Sequence, residues 1–255
     1  MTPRREFVPH VAVHSEVDAL NAAEPRPAAN AAPSEKKNYA ERVSRALAIH
    51  FANALRTSFP EITPDSQGRG QEMRARSRKS YKKLDVGYAT TELGLALGIS
   101  IKTLHFPDPA SRRFTKNYTR IDAELRAEAA DYHERQPYAV LVAVLFLPVE
   151  SCDDANRGQR AETGVSSFGA AVRYFRDRAG RMPPLDAPDK FERFFVGLYE
   201  SSGEERGKTV YFDVMNRPPK SRRLIGDEGI TFQQVIAEIQ RTYDKINNPP
   251  FEWAE

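Results

Sequence analysis

The sequence predicts an α/β chain, in the α+β sense, with a mixed central sheet flanked by helices. Three observations lead there. Apolar residues recur at helical spacing in four separated stretches, and a hairpin-like pair of strands lies between the first two. One run, YAVLVAVLFLP at 138–148, is apolar on both faces, as a strand at the centre of a doubly covered sheet must be. A hairpin feeding a mixed sheet is the simplest arrangement for this order of elements.

Residues 1–37 are rich in Ala, Pro and Asn and lack apolar periodicity, so a flexible arm is expected outside a single domain at 38–255. From Tyr39, the residues Val43, Leu47, Phe51, Ala54 and Leu55 follow helical spacing and stop before Pro60. After TPDSQGRG, a polar helix or helical turn is expected over about Arg69 to Lys79. Two strands follow, near Lys82–Tyr88 and Leu93–Leu104, with a hairpin tip at Glu92 and Leu93. The basic loop PDPASRRFTKN leads to a helix at Tyr118–Arg135, which Pro137 stops. Beyond the central strand the pattern gives a helix at Ser166–Arg178, strands at Phe194–Tyr199 and Val210–Met215, and a last helix at Thr231–Ile246. The closing NPPFEWAE is expected to tuck Phe251 and Trp253 onto the domain.

A chain of 255 residues buries a core without covalent staples. The single cysteine, Cys152, and five histidines show no zinc-ligand spacing, which fits a reducing, cytoplasmic setting. No secretory leader is expected, and the longest apolar run, Ala139–Leu147, is about half of the ~20 residues a membrane span needs. A net charge of only +3 conceals clustering of the basic residues. One group holds Arg74, Arg76, Arg78, Lys82 and Lys83, a second holds Arg112, Arg113, Lys116 and Arg120, and a third is RPPKSRR at 217–223. The first two are expected to contact nucleic-acid phosphates.

The segment TELGLALGISIKT poses the functional question, because Lys102 closes a strand of small and apolar residues. Strand alternation sends Leu95, Leu97, Ile99 and Ile101 into a core. Gly94, Ala96, Gly98, Ser100 and Lys102 then form an opposite face, small enough to admit close approach. In the expected hairpin Asp85 falls roughly opposite Ser100, beside Lys102. On the following helix, Glu124, Glu128 and Asp131 make an acidic edge at i, i+4 and i+7, and Glu128 falls among Ile121, Leu125 and Tyr132 where an apolar residue belongs. An acid facing inward calls for a cation. Carboxylates converging beside one lysine are what metal-assisted phosphodiester hydrolysis requires.

These residues resemble the restriction-endonuclease-like, or PD-(D/E)XK, nucleases over about residues 39–147. In that resemblance Glu72 corresponds to the acid of the first helix, Asp85 to the strand aspartate, and Ser100-Ile101-Lys102 to the acid-x-lysine. Ser100 stands where most members carry Glu or Asp. One branch is similar in having serine there, with the carboxylate supplied by a glutamate of the next helix, here Glu124 or Glu128. The first turns of that helix slightly favour Glu124. The resemblance implies a restriction-endonuclease-like core and a Mg²⁺-dependent (or Mn²⁺-dependent) DNA endonuclease of restriction or phage-defence type, with Asp85, Glu124, Glu128 and Glu72 as metal ligands. It also implies action as a homodimer or as a subunit of a defence complex. The alternative is a catalytically silent DNA-binding or scaffolding subunit that lost the chemistry at Ser100. A third reading has the lysine and acids merely pairing in an interaction protein. His105 and His133 read as structural, Glu92 as a turn residue, Ser166 and Ser167 as helix caps, and Asp153 and Asp154 as loop residues.

Overall fold

The structure, a computed structural model, describes residues 7–76, 81–91, 94–156 and 164–247. Its helices are α1 (Glu16–Ala22), α2 (Pro33–Leu55), α3 (Tyr118–His133), α4 (Ser167–Phe175) and α5 (Phe232–Ile246). Its strands are β1 (Met73–Arg76), β2 (Tyr81–Leu84), β3 (Val86–Thr90), β4 (Gly94–Thr103), β5 (Val140–Pro148), β6 (Arg193–Tyr199) and β7 (Thr209–Asp213). Strands β3 to β7 form one mixed sheet in chain order. The outer pairs β3–β4 and β6–β7 are antiparallel, and β4–β5–β6 are parallel. The mixed sheet flanked by helices is thus as expected, with the run at 140–148 as its fully buried middle strand.

Alternation along β5 divides the core. Val140, Val142, Val144 and Phe146 face α1, α2 and α5, whereas Leu141, Ala143, Leu145 and Leu147 face α3 and α4. Each such side chain removed from water contributes on the order of 1.5–3 kcal/mol, which is why this strand needs no polar positions. Among the described residues no helix is long and apolar enough to cross a membrane.

Four expectations change. The stretch before residue 38 is not a free arm from residue 7 onward. Ser15 caps α1 by accepting from the Asp18 N–H at 3.1 Å, and Val13, Ala19, Leu20, Ala22 and Ala23 are buried in the core. Distant side chains tie this segment down: Asn53 donates to the Val13 carbonyl, Arg42 to Ala23, Arg26 to Ser201 and Arg206 to Asn21. Helix α2 accordingly begins at Pro33.

The expected polar helix at 69–79 is instead turn and bend over 69–72 and strand over 73–76. Gly68 and Gly70 have φ of +80° and +74°, Glu72 has φ of +55°, and residues 73–76 pair antiparallel with 81–84 as a separate two-stranded ribbon. Arginines without an apolar stripe give a helix nothing to bury, whereas Met73 has a seat in a strand, against the core. Arg78, Glu92, Leu93, Phe251 and Trp253 lie outside the described residues, as does the whole of 248–255.

The expected single strand at 82–88 breaks at Asp85, where the chain leaves the ribbon and enters the sheet. Finally, Leu95 joins the α3 side of the core, not the side of Leu97, Ile99 and Ile101. The register passes from Tyr88↔Leu97 to Ala89↔Leu95, so Ala96 is an extra residue and the alternation inverts there.

Candidate active site

The site lies where β4 outruns β3. The two strands pair in the register Val86↔Ile99, which extended by one places Asp85 opposite Ser100. Beyond that point the chain has turned into the ribbon, and no backbone carbonyl of β3 is there to meet the Ile101 N–H. The Asp85 carboxylate takes its place, accepting from Ile101 N at 2.7 Å. One aspartate thus closes the ladder and stands beside the next two residues of β4.

Those residues meet α3. Ser100 Oγ donates to Glu128 Oε2 at 2.6 Å, and Lys102 Nζ donates to Glu128 Oε1 at 2.8 Å. Glu128 lies on the buried side of α3 with Leu125 and Tyr132, as its place among apolar positions predicts. Glu124, one turn earlier, is 3.7 Å from Lys102 through Oε2 while its Oε1 receives Arg120 at 2.6 Å. Its side chain is 41% exposed against 19% for Glu128, so the slight preference for Glu124 is overturned. The helix presents Glu128, more than Glu124, to the C-terminal part of β4.

Burial pushes the Asp85 carboxyl up to about 6; Lys102 and the Ile101 N–H oppose that rise, and the charges of Glu128 and Glu72 add to it. Burial alone would depress Lys102. The carboxylates of Glu128, Asp85 and Glu124 outweigh it and hold the ammonium above the ordinary lysine range. The cluster is therefore a coupled set in which one cation balances several acids.

Glu72 sits just before β1 and not on a helix, with φ of +55°. It pairs with Arg45 of α2 at 3.4 Å and with Lys83 of β2. Extending the ribbon register Met73↔Leu84 by one places Glu72 across from Asp85. The oxygen donors of Asp85, Glu128 and Glu72 suit a hard cation such as Mg²⁺. Among the described residues, however, no three Asp, Glu, His or Cys side chains stand close enough together to form a metal-binding group. Lys102 occupies their midst.

The face of small residues is not open to a ligand throughout. A methyl at Gly98 would lie 2.8 Å from Leu84 Cδ1 and 2.9 Å from Leu141 Cδ2, and Met73 covers Gly87. The glycines seat the root of the ribbon. Open space lies further along, in a cavity of about 440 Å³ lined by Lys37, Ala40 and Ser44 of α2, Lys102 of β4, and Arg120 and Glu124 of α3. Lys37, Glu41 and Ser44 share one face of α2 at i, i+4 and i+7. That spacing is a sequence signal for the cavity wall, and the reading of the first helix passed over it.

The basic groups fare unequally. Arg74 and Lys83 are exposed on the ribbon, and Arg76 and Lys82 hold ribbon positions by register. Arg112 is exposed, Lys116 pairs with Asp108 at 2.6 Å, and Arg120 pairs with Glu124. Arg113 cannot contact a polyanion: it is buried and donates to the Val165 carbonyl at 2.7 Å. In the third group Arg222 pairs with Glu228 and Arg223 with Asp153 and Glu200, whereas Arg217 and Lys220 are exposed.

His105 and His133 are buried, bonded to Tyr199 Oη and the Pro188 carbonyl respectively. Ser166 caps α4 by accepting from Gly169 N, while Ser167 is held by buried Asp154. A residue that the sequence reading left out of the site is Tyr132. Its buried hydroxyl has no hydrogen-bond partner among the described residues, and burial followed by the charges of Glu128, Asp131 and Asp85 raises its pKa. Compared with known family models, curated proteins and solved structures, the chain matches none of them, so the site rests on its own geometry.

Proposed function

We propose that the protein is a Mg²⁺-dependent DNA endonuclease with a restriction-endonuclease-like core, of the kind used in restriction or phage defence. One observation carries the reading: Asp85, Ser100, Lys102 and Glu128, from three separate elements, meet at one point on β4, with a serine hydroxyl and an ammonium holding the two oxygens of a single helix glutamate. The order helix, hairpin, helix, parallel strand around that point supports the reading.

In this reading Asp85 and Glu128 would hold the cation, with Glu72 at the ribbon root reaching it only on a rearrangement of the cluster. When bound, Mg²⁺ supplies an acidified water and neutralises phosphate oxygens. Ser100 orients Glu128. Lys102 would donate a hydrogen bond to the attacking water or to the phosphate oxygens. Such a donor contributes on the order of 10²–10³ in rate. The cavity beside Lys102, rimmed by Lys37 and Arg120, receives the strand to be cut. Purified protein should cut DNA in Mg²⁺ or Mn²⁺ and stop in EDTA, and Asp85→Ala or Lys102→Ala should abolish cutting without unfolding the chain.

A second reading has its own observation. With Ser100 at the usual acid position, and no three ligating side chains grouped among the described residues, the same architecture suits a DNA-binding subunit without chemistry. It predicts DNA binding that neither Mg²⁺ nor Lys102→Ala alters, and no cutting under any condition.

A further inference from the structure

The ribbon β1–β2 carries a charge pattern that does not serve the fold. Its register pairs Met73↔Leu84, Arg74↔Lys83, Ala75↔Lys82 and Arg76↔Tyr81. One face is the anchor, where Leu84 is buried at 2% exposure, Met73 packs against the core, and both cover glycines of β3 and β4. On the other face Arg74 and Lys83 stand opposite each other. Like charges placed directly opposite each other across an antiparallel pair are destabilising. Arg74 and Lys83 are such a pair, both exposed, and the carboxylate on Lys83 is that of Glu72. A ribbon that keeps cations opposed on its outer face is built to meet an external polyanion.

Dimensions name the occupant. Paired strands lie about 4.8 Å apart, and a two-stranded ribbon with its side chains matches the ~12 Å major groove of B-form DNA. We infer that the ribbon β1–β2 enters the major groove of duplex DNA, with the face that carries Arg74 and Lys83 turned to the phosphates. This rests on the nuclease reading for its choice of polyanion. Its root couples the two functions: Glu72 and Asp85 flank the Met73↔Leu84 pair, so a ribbon seated in a groove bears directly on two carboxylates of the site.

The test is binding in EDTA, where cleavage plays no part. Affinity of the full chain for a short DNA duplex is measured by fluorescence anisotropy across a salt series, for wild type, Arg74→Ala, Lys83→Ala and the double variant. Circular dichroism checks that each is folded. Each substitution should weaken binding about tenfold and lower the slope of log K against log salt by about 0.9. Duplex RNA, whose major groove is too deep and narrow for a ribbon, should show no such loss. Unchanged affinity and slope in the folded double variant would overturn the ribbon's role while leaving nuclease activity to stand. Equal weakening on duplex RNA would overturn insertion into the groove. Loss of DNA binding in the double variant, with no cutting by wild type in Mg²⁺, would keep the ribbon and remove the nuclease reading.

Discussion

Lys102 and Glu128, 26 residues apart in the chain, are joined by a 2.8 Å bond between β4 and α3, and the other oxygen of the same carboxylate is held by Ser100. Glu72 is likewise held through both oxygens, by Arg45 and Lys83, but at the ribbon root and away from α3. Glu124 shares Lys102 at 3.7 Å and is half turned to solvent with Arg120. Glu128→Gln should therefore abolish metal-dependent cleavage, by at least about 10²-fold if it carries transition-state charge balance, whereas Glu124→Gln should cost only a few-fold. Single-turnover rates with saturating DNA compare them. Equal losses in the two variants would mean that α3 presents both glutamates to the substrate.

Removing the ammonium tests whether the acids form a cation site. Lys102→Met leaves Asp85 and Glu128 without the charge that balances them, so the metal-free variant should melt below wild type. Ca²⁺ at millimolar concentration should then raise its melting temperature more than that of wild type, because binding to the folded state alone stabilises it. Melting curves with and without Ca²⁺ give the comparison. If Ca²⁺ shifts neither protein, the carboxylates do not hold a divalent ion.

Burial sets the sign of the pH dependence at Asp85. Its carboxyl titrates at about 6 in the folded chain, against ~3.9 when unfolded. Between these values the folded protein keeps a proton that the unfolded chain has released. Stability attributable to this group therefore falls as pH rises from about 4 to about 6, by on the order of 3 kcal/mol, and is level above that. Asp85→Asn should remove this slope and be more stable than wild type at pH 7.5, yet inactive. Wild-type kcat/KM at limiting Mg²⁺ should rise with an apparent pKa near 6. Denaturation at a series of pH values decides, and parallel pH profiles for the two proteins would assign the titration to another group.

Much of this site was legible because strand and helix periods are rigid rules. The expected hairpin pairing puts Asp85 beside Ser100, as the register Val86↔Ile99 does, and an acid in the apolar stripe of α3 has to point at the sheet. What escaped was set by partners distant in sequence or by a single inserted residue. The bulge at Ala96 inverts the face of Leu95, and nothing in GLALGIS marks it. Residues 7–32 lack periodicity, but Arg42, Asn53 and Arg206 supply their hydrogen bonds from elsewhere. Arg113 reads as one more basic loop residue until its guanidinium is found on the Val165 carbonyl, 52 residues away. In the ribbon, a run of arginines carries no period that separates strand from helix, and the left-handed backbone at Gly68, Gly70 and Glu72 decides it.

Gly98 links the packing of the ribbon to the chemistry. A methyl group there would press on Leu84 and Leu141, both buried, so Gly98→Ala should destabilise the fold by about 1–3 kcal/mol through overpacking. Leu84 immediately precedes Asp85, and pushing it outward also withdraws that carboxylate from the Ile101 N–H. Cleavage should consequently drop more than the loss of stability accounts for at a temperature where the variant remains folded. Leu84→Val removes one methylene from the crowded side and should recover part of both losses in the Gly98→Ala background, although alone it costs up to about 1.5 kcal/mol. Melting temperatures and cleavage rates of the two single variants and the double variant form the cycle. Additive losses in that cycle would mean that Leu84 does not convey the pressure at Gly98 to Asp85, whereas recovery in the double variant would place the position of the Asp85 carboxylate under the control of the ribbon's anchor.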